Sequence, residues 1–410
     1  MNSTVLLRRL RHLRHLRHLR HLRHLPYHPR MHLHLRRLSL IVCALVLVSA
    51  LPGSRPVAAQ RASATAALPA QLTDAEFWKL VTDLSEPNGY FPSENYVGNE
   101  LSFQWVIPDL RKTVKRGGVY LGVGPDQNFT YLAALEPRIA FIVDIRDGNL
   151  LQLLMYKALI EMSADRLAFA ANLFGRARPA SVNADAGADA ILTAVYAEPA
   201  DRDIYDRTRA AIRTRLTKTH GFPLPAEQLR HLEQIYATFF AYGPGIRYQN
   251  GNGGRGGNSY PTYWDMQVTD DNHGWNHAYL ATEEQFRVVK RMEEANLIVP
   301  VIGNFGGPKA VKAVGAWVRD HGATVTTFYA SNVEQYLFQD NLWRKYYRNV
   351  ATMPLDATSQ FIRSVFNMGG GGFGGPGLRS SQMTCGIQDL LAAFSAGKIN
   401  SYYDVISLSK

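Results

Sequence analysis

Cysteine is nearly absent from this chain: two in 410 residues, Cys43 and Cys385. Cys43 lies inside an apolar N-terminal run, so residues 60–410 hold a single thiol. One thiol excludes an intramolecular disulfide and any zinc site built on paired cysteines. Stability must then come from an apolar core, which a chain of this length can bury. Cys385 has no nucleophile motif around it and reads as a buried thiol. Acidic residues and lysine are missing altogether from the first 59 positions, which carry eleven arginines. With those set aside, residues 60–410 hold 34 basic against 34 acidic side chains, so the formal charge of +11 belongs to the leader. A neutral remainder argues against a broad electrostatic surface for nucleic acid. Absent too are G-x-S-x-G, H-E-x-x-H and the phosphate loop G-x-x-x-x-G-K-[ST].

The leader has the layout of an export signal. Arg36 and Arg37 precede an apolar stretch over residues 38–51, and Val57-Ala58-Ala59 offers a small-residue cleavage site before Gln60. The stretch is short for a membrane span. The expected product is exported, periplasmic or secreted, with no stable membrane association after cleavage; an uncleaved anchor is the alternative. The repeat RHLRHLRHLRHLRHL stands ahead of it. Histidine tracts can bind metal, but low-complexity leader sequence is the simpler reading. Residues from Met31 suffice as a signal by themselves, which leaves the start open between Met1 and Met31. Residues 60–72 read as a linker, and 73–410 as the folded domain.

What is present is concentrated in GGVYLGVGPDQNFTYLAAL and the EPRIAFIVDIRDGNLLQLL that follows. Val119, Tyr120 and Leu121 form an apolar run suited to a buried parallel strand. Gly122 and Gly124 allow a tight turn and a close backbone approach to a ligand. Phe129, Tyr131, Leu132 and Leu135 follow at helical spacing, with Asp126 and Asn128 as candidate caps. Residues 139–143 are a second buried strand ending on Asp144, twenty positions after Gly124. An acid there is placed to accept hydrogen bonds from ribose hydroxyls. The fingerprint departs from both common patterns. The third glycine of G-x-G-x-x-G is missing, and Tyr120 stands where a class I methyltransferase carries an acid, with Asp126 at its last glycine. A purely structural strand–helix–strand unit is the alternative.

The remainder fits an α/β sheet with an insertion. Thr73 and Glu76 form a capping box ahead of Phe77, Leu80, Val81 and Leu84. Residues 85–100 are turn-rich and aromatic, and either drape over a pocket or simply connect. A long amphipathic helix, or a pair, is expected over 147–176, with Lys157 on the apolar register. Helical stretches at 186–196, 203–217 and 226–242 suggest an insertion over about 177–245, followed by a glycine-rich loop at 248–265. Residues 297–302 read as a strand entering GNFGGPKA, a helix follows to 321, and 323–329 is the next strand. Asn304 then sits at the carboxyl end of a strand, where such sheets bind ligands, and Gly306, Gly307 and Lys309 could hold an anion at a helix start. The run at 367–377 is another glycine-rich segment, and the chain closes as a helix and an edge strand.

Candidate chemistry is sparse. DMQVTDDNHGWNHAY places His273 and His277 four apart beside Asp270 and Asp271. On a continuous helix these would be metal ligands on one face, but Gly274 and the Asp-Asp-Asn-His-Gly composition favour a turn. His277 and Asn304 are the candidates for catalytic work.

At GVGPDQNFTYLAALEPRIAFIVDIRDGNL, LMYKALIEMSADR, IVPVIGNFGGPKAVKAVG and GATVTTFYASNVEQYLF, the chain resembles an uncharacterised bacterial exported-protein family with a class I methyltransferase-like Rossmann fold. The resemblance covers most of residues 74–406. It implies a doubly wound α/β sheet with a helical insertion and a nucleotide-type pocket. By that analogy Gly122, Gly124 and Asp126 would line the methionine side of S-adenosylmethionine, with Asn128 close by, and Asp144 its ribose. Three readings stay open: an S-adenosylmethionine-dependent methyltransferase, a non-catalytic exported binding protein for a small molecule on that scaffold, and a metal-dependent hydrolase. Export weighs against the first, because that cofactor is a cytosolic metabolite.

Overall fold

A computed structural model describes residues 67–249, 260–366 and 379–410. The RHL repeat, the expected export signal with its expected cleavage site, and most of both glycine-rich runs lie outside the described residues.

Local chemistry accounts for the opening elements. Thr73 Oγ1 accepts the Glu76 N–H while Glu76 Oε2 accepts the Thr73 N–H, which starts α1 (Asp74–Leu84). After the turn-rich segment, α2 (Ile107–Thr113) leads to β1 (Val119–Gly122), buried at every position. Next come α3 (Gln127–Leu135) and β2 (Ile139–Asp144), also buried throughout. The expected long helix is a pair, α4 (Asp147–Met162) and α5 (Arg166–Leu173). Asp165 breaks it by accepting the Ala168 N–H at 2.8 Å as a new N-cap. α4 is not amphipathic in context: residues 148–160 are all buried. Lys157 is buried with them, its Nζ 2.8 Å from Glu161.

The covering of α4 comes from the connection between β2 and β3. It holds α6 (Ala188–Ala197), α7 (Arg202–Thr214) running into a π turn, α8 (Ala226–Tyr242), α9 (Tyr263–Val268) and α10 (Glu283–Glu294). α8 and α10 pack directly on α4. The chain re-enters the sheet at β3 (Ile298–Ile302) and continues through α11 (Ala310–Asp320) to β4 (Val325–Ser331). Two short helices, α12 (Val333–Gln339) and α13 (Trp343–Val350), precede β5 (Gln360–Phe366) and β6 (Ser380–Gly386). α14 (Ile387–Ser395) and α15 (Tyr402–Ser407) close the chain. The edge strand expected within that last stretch is instead β6, just before it. Ser401 and Asp404 make a capping box that turns Tyr402–Ser407 into helix.

The fold is α/β, with a six-stranded, mostly parallel sheet in the order β3-β2-β1-β4-β5-β6. The first five strands are parallel and β6 pairs antiparallel with β5. Leu121 of β1 lies between Phe141 of β2 and Phe328 of β4 in register. Strand order reverses between β1 and β4. Connections leave in opposite directions there, and a crevice opens at the carboxyl ends of those strands.

Candidate functional site

The crevice holds a cavity of about 310 Å³. Its floor is the four strand ends: Val123 to Pro125 after β1, Asp144 to Arg146 after β2, Gly303 to Phe305 after β3, and Ser331 and Asn332 after β4. Its roof is the turn-rich segment, which contributes Tyr90, Phe91, Asn95 and Glu100 among others. Residues 85–100 therefore drape over the pocket rather than merely connect. A larger hollow, about 340 Å³, lies at the amino ends of β1 and β4 beside Lys115 and Arg138. It is far from the turn, and parallel sheets bind ligands at the other end.

The glycine turn is built from within. Gly124 has φ +79°, a conformation that L side chains avoid, and a Cβ there would meet nothing. Gly122 is small for another reason. A Cβ on it would lie 2.0 Å from Asn128 Oδ1 and 2.7 Å from the Tyr120 ring. Asn128 does not cap the helix. Its amide nitrogen donates to the carbonyls of Val123 and Pro125 at 2.9 and 2.7 Å, and its Oδ1 accepts the Tyr120 hydroxyl at 2.8 Å. Tyr120, standing where a methyltransferase has an acid, thus holds the turn through Asn128. Asp126 occupies the N-cap position of α3 but makes no side-chain cap bond. Its carboxylate turns into the core and accepts the Tyr279 hydroxyl at 3.0 Å. Burial pushes its pKa up to about 7. Of the five residues singled out for cofactor contact, Gly124 and Asp144 line the cavity, whereas Gly122, Asp126 and Asn128 are not among its lining residues.

Asp144 is committed to a neighbour. Its Oδ1 accepts both the backbone N–H and Nε of Arg146 at 3.0 Å, and Oδ2 accepts Nη2 at 2.9 Å. The other guanidinium nitrogen, Nη1, donates to the carbonyls of Ser93 and Glu94. This buried pair fastens the roof to the floor. Each carboxylate oxygen has more than one lone pair, so Asp144 can still accept from a ligand hydroxyl.

The anion expected at the start of α11 is supplied by the chain itself. Glu86 Oε1 accepts the N–H groups of Lys309 and Ala310 at 2.7 and 2.8 Å, and Oε2 that of Asn304 at 3.2 Å. A Cβ on Gly307 would lie 2.4 Å from Glu86 Oε2, so that glycine makes room for the carboxylate. Asn304 lines the cavity and closes its own turn by accepting the Gly306 N–H at 2.9 Å.

Glu100 is the residue that sequence reading missed. It is 1 % exposed, lines the cavity and has no basic partner among the described residues. Four neutral donors reach it: Tyr329 Oη at 2.5 Å, Gln127 Nε2 at 3.0 Å and Gln382 Nε2 at 2.9 Å on Oε2, and Ser331 Oγ at 2.5 Å on Oε1. Ser331 holds a left-handed backbone, φ +48°, beside an irregularity in the β4–β5 register. Burial raises the Glu100 pKa above the usual carboxylate range, against the opposing pull of these donors.

The histidine cluster lies elsewhere. Asp271 organises a turn, its Oδ1 accepting the N–H groups of His273 and Trp275 at 2.9 and 3.1 Å. Its Oδ2 is 3.0 Å from Nε2 of His277, which is nearly buried and outside the cavity lining. Asp270 and His273 are exposed. Positive φ at Asn272 and Gly274 makes this a turn, not a helix face. Among the described residues no group of three or more His, Cys, Asp or Glu is placed to hold a metal ion.

A second hollow of about 250 Å³ shares Phe91, Tyr248, Asn332 and Tyr336 with the main cavity. It also holds Arg379, whose guanidinium lies 4.6 Å from the centre of the Tyr260 ring.

A family model described as "Domain of unknown function (DUF7790)" matches residues 96–377. None of the curated proteins matches the chain.

Proposed function

The chain belongs to the DUF7790 family, and from that premise we propose that it binds a nucleoside-type small molecule lacking phosphates, of the S-adenosylmethionine kind, in the cavity above β1 and β4. The carrying observation is the chemistry of the wall. Among the described residues Arg146 is its single basic residue, and that guanidinium is already paired with Asp144. Acceptors dominate the rest: among the described residues Asn95 Oδ1 and Gln127 Oε1 are buried without a hydrogen-bond partner, and Glu100 has no counter-ion. Such a wall disfavours a dinucleotide pyrophosphate, which needs donors or positive charge. It suits a ligand carrying hydroxyls, an ammonium and a sulfonium. Asp144 would hold the ribose, Gly124 would let the ligand approach the turn, and Phe91 and Tyr336 supply apolar surface. When bound, S-adenosylmethionine supplies an electrophilic methyl group. The adjoining hollow, aromatic and holding Arg379, is the place for an acceptor. Residues 1–59 would direct the protein out of the cytosol.

A second reading has its own support. Asp144 is tied to Arg146, Tyr120 replaces an acid, and Asp126 points into the core. These favour an exported binding protein that holds a nucleoside without transferring a group.

Asp144→Asn tests the site under either reading. Alanine would strip Arg146 of its buried partner, whereas asparagine keeps an acceptor for it. Loss of one charge-assisted hydrogen bond to a ribose hydroxyl is expected to weaken S-adenosylhomocysteine binding by roughly 10–100-fold. Unfolding should stay cooperative. Unchanged affinity in calorimetric titration would rule out the ribose assignment.

A further inference from the structure

We propose that Glu100 is the residue that recognises a cationic group on the ligand, with the Gln127 and Asn95 acceptor oxygens completing an ammonium-binding subsite in the roof of the cavity. This rests on the reading of the cavity as a nucleoside-type site, but it names a residue and a charge that the glycine-turn analogy does not contain.

Three observations converge. Glu100 Oε1 accepts one hydrogen bond, from Ser331 Oγ at 2.5 Å, while Oε2 takes three. Oε1 is thus the less engaged oxygen, although the Ser364 hydroxyl also helps to stabilise the carboxylate. Gln127 lines the same cavity at 5 % exposure, its Nε2 spent on Glu100 and Tyr329 and its Oε1 without a partner. Asn95, also in the lining, holds a left-handed φ of +52° and a second unpartnered buried acceptor, Oδ1. Unsatisfied buried acceptors are rare and costly, and those at a cavity wall ask for a donor from the ligand. A carboxyl without a basic partner among the described residues, sharing a cavity lining with two such acceptors, suits the N–H bonds of an ammonium group and disfavours a phosphate.

The proton balance follows. In the free protein, burial favours the neutral acid. An arriving ammonium favours the carboxylate, so the Glu100 proton leaves to solvent as the ion pair forms. The phenols facing Glu100 stay protonated throughout. Tyr329 on β4, Tyr120 on β1 and Tyr131 on α3 are phenols raised well above 10 by burial. Gln382 on β6 and Ser364 on β5 are neutral, Asp144 is held by Arg146, and Asp340 at the rim is exposed. Affinity for an ammonium ligand should thus rise as pH climbs above the ordinary carboxylate range, with proton release on binding.

Two probes differ in the amino-acid group: S-adenosylhomocysteine carries an ammonium with its carboxylate, and 5′-methylthioadenosine carries neither. With the full-length chain, Glu100→Gln is expected to weaken S-adenosylhomocysteine roughly 100-fold and to leave 5′-methylthioadenosine unchanged. Retained binding of the second probe also reports that the variant is folded. In the unsubstituted protein, calorimetry in buffers of different ionisation enthalpy should show protons released with the first probe and none with the second. Equal loss of both probes, equal affinity of the intact protein for both, or no proton release would overturn the role of Glu100 while leaving a nucleoside site standing. Binding of neither probe by the intact protein would overturn that site and this inference together.

Discussion

Arg363→Met is expected to destabilise the protein by about 3–5 kcal/mol, the usual consequence of leaving one half of a buried ion pair behind. Arg363 on β5 and Glu334 on α12 are both fully buried, with Nε 2.6 Å from Oε2. Arg363 Nη1 also donates to Ser409 Oγ at 2.6 Å, tying the C-terminal segment to the sheet, and Tyr347 Oη donates to Glu334 Oε1 at 2.9 Å. Removing the guanidinium leaves a carboxylate with one phenolic donor in the core. Urea unfolding gives the measurement. The double variant Glu334→Leu/Arg363→Met should recover most of the loss, because apolar replacement of a whole buried pair is often neutral or stabilising. A single variant within about 1 kcal/mol of the parent would mean that the pair is not desolvated as described.

Asp126→Asn should reverse sign relative to most core substitutions and should do so in a pH-dependent way. Asp126 is buried among Tyr156, Tyr263 and Tyr279, and burial raises its carboxyl from 3.8 to about 7 despite the hydrogen bond from Tyr279. A shift of that size corresponds to about 4 kcal/mol between the two protonation states. The folded state prefers the protonated acid. Its contribution is therefore complete below the unfolded value near 4, and it is lost as pH rises through about 7. Asparagine carries no charge at any pH and still accepts from Tyr279. Its amide N–H groups also lie near Gln267, whose Oε1 has no partner and whose Nε2 is 3.4 Å from Asp126. The parent should thus lose stability between about pH 4 and pH 7 that the variant keeps, up to about 4 kcal/mol. Parallel stability profiles for the two proteins across that range would contradict this picture.

The parts of the fold that could be read from sequence are those governed by local rules. Val119 to Leu121, residues 139–143 and residues 297–302 are apolar runs, the signature of parallel strands covered on both faces. Thr73 with Glu76 marks a helix start by chemistry spanning four residues. Gly124, Asp144 and Asn304 stand out because a strand end followed by a turn is visible in one dimension. The rest depends on contacts far apart in the chain. Glu100 looks like any polar residue in a turn-rich connector until Gln127, Tyr329, Ser331 and Gln382 surround it. Glu86 looks solvated until it fills the helix start at Lys309 and Ala310. Arg363 and Glu334 resemble surface charges, and the glycine-rich run between β5 and β6 is too long to set their register. Asp126 resembles a cap, the usual role at that position, and tertiary packing against tyrosines overrides it.

The cavity's acceptor-rich, cation-poor wall is tested most directly by calorimetric titration of the full-length chain with S-adenosylmethionine, S-adenosylhomocysteine and NAD. Binding of the first two at roughly micromolar Kd, with NAD at least tenfold weaker, is the expected result. Tighter binding of NAD, or no binding of any of the three, would contradict it.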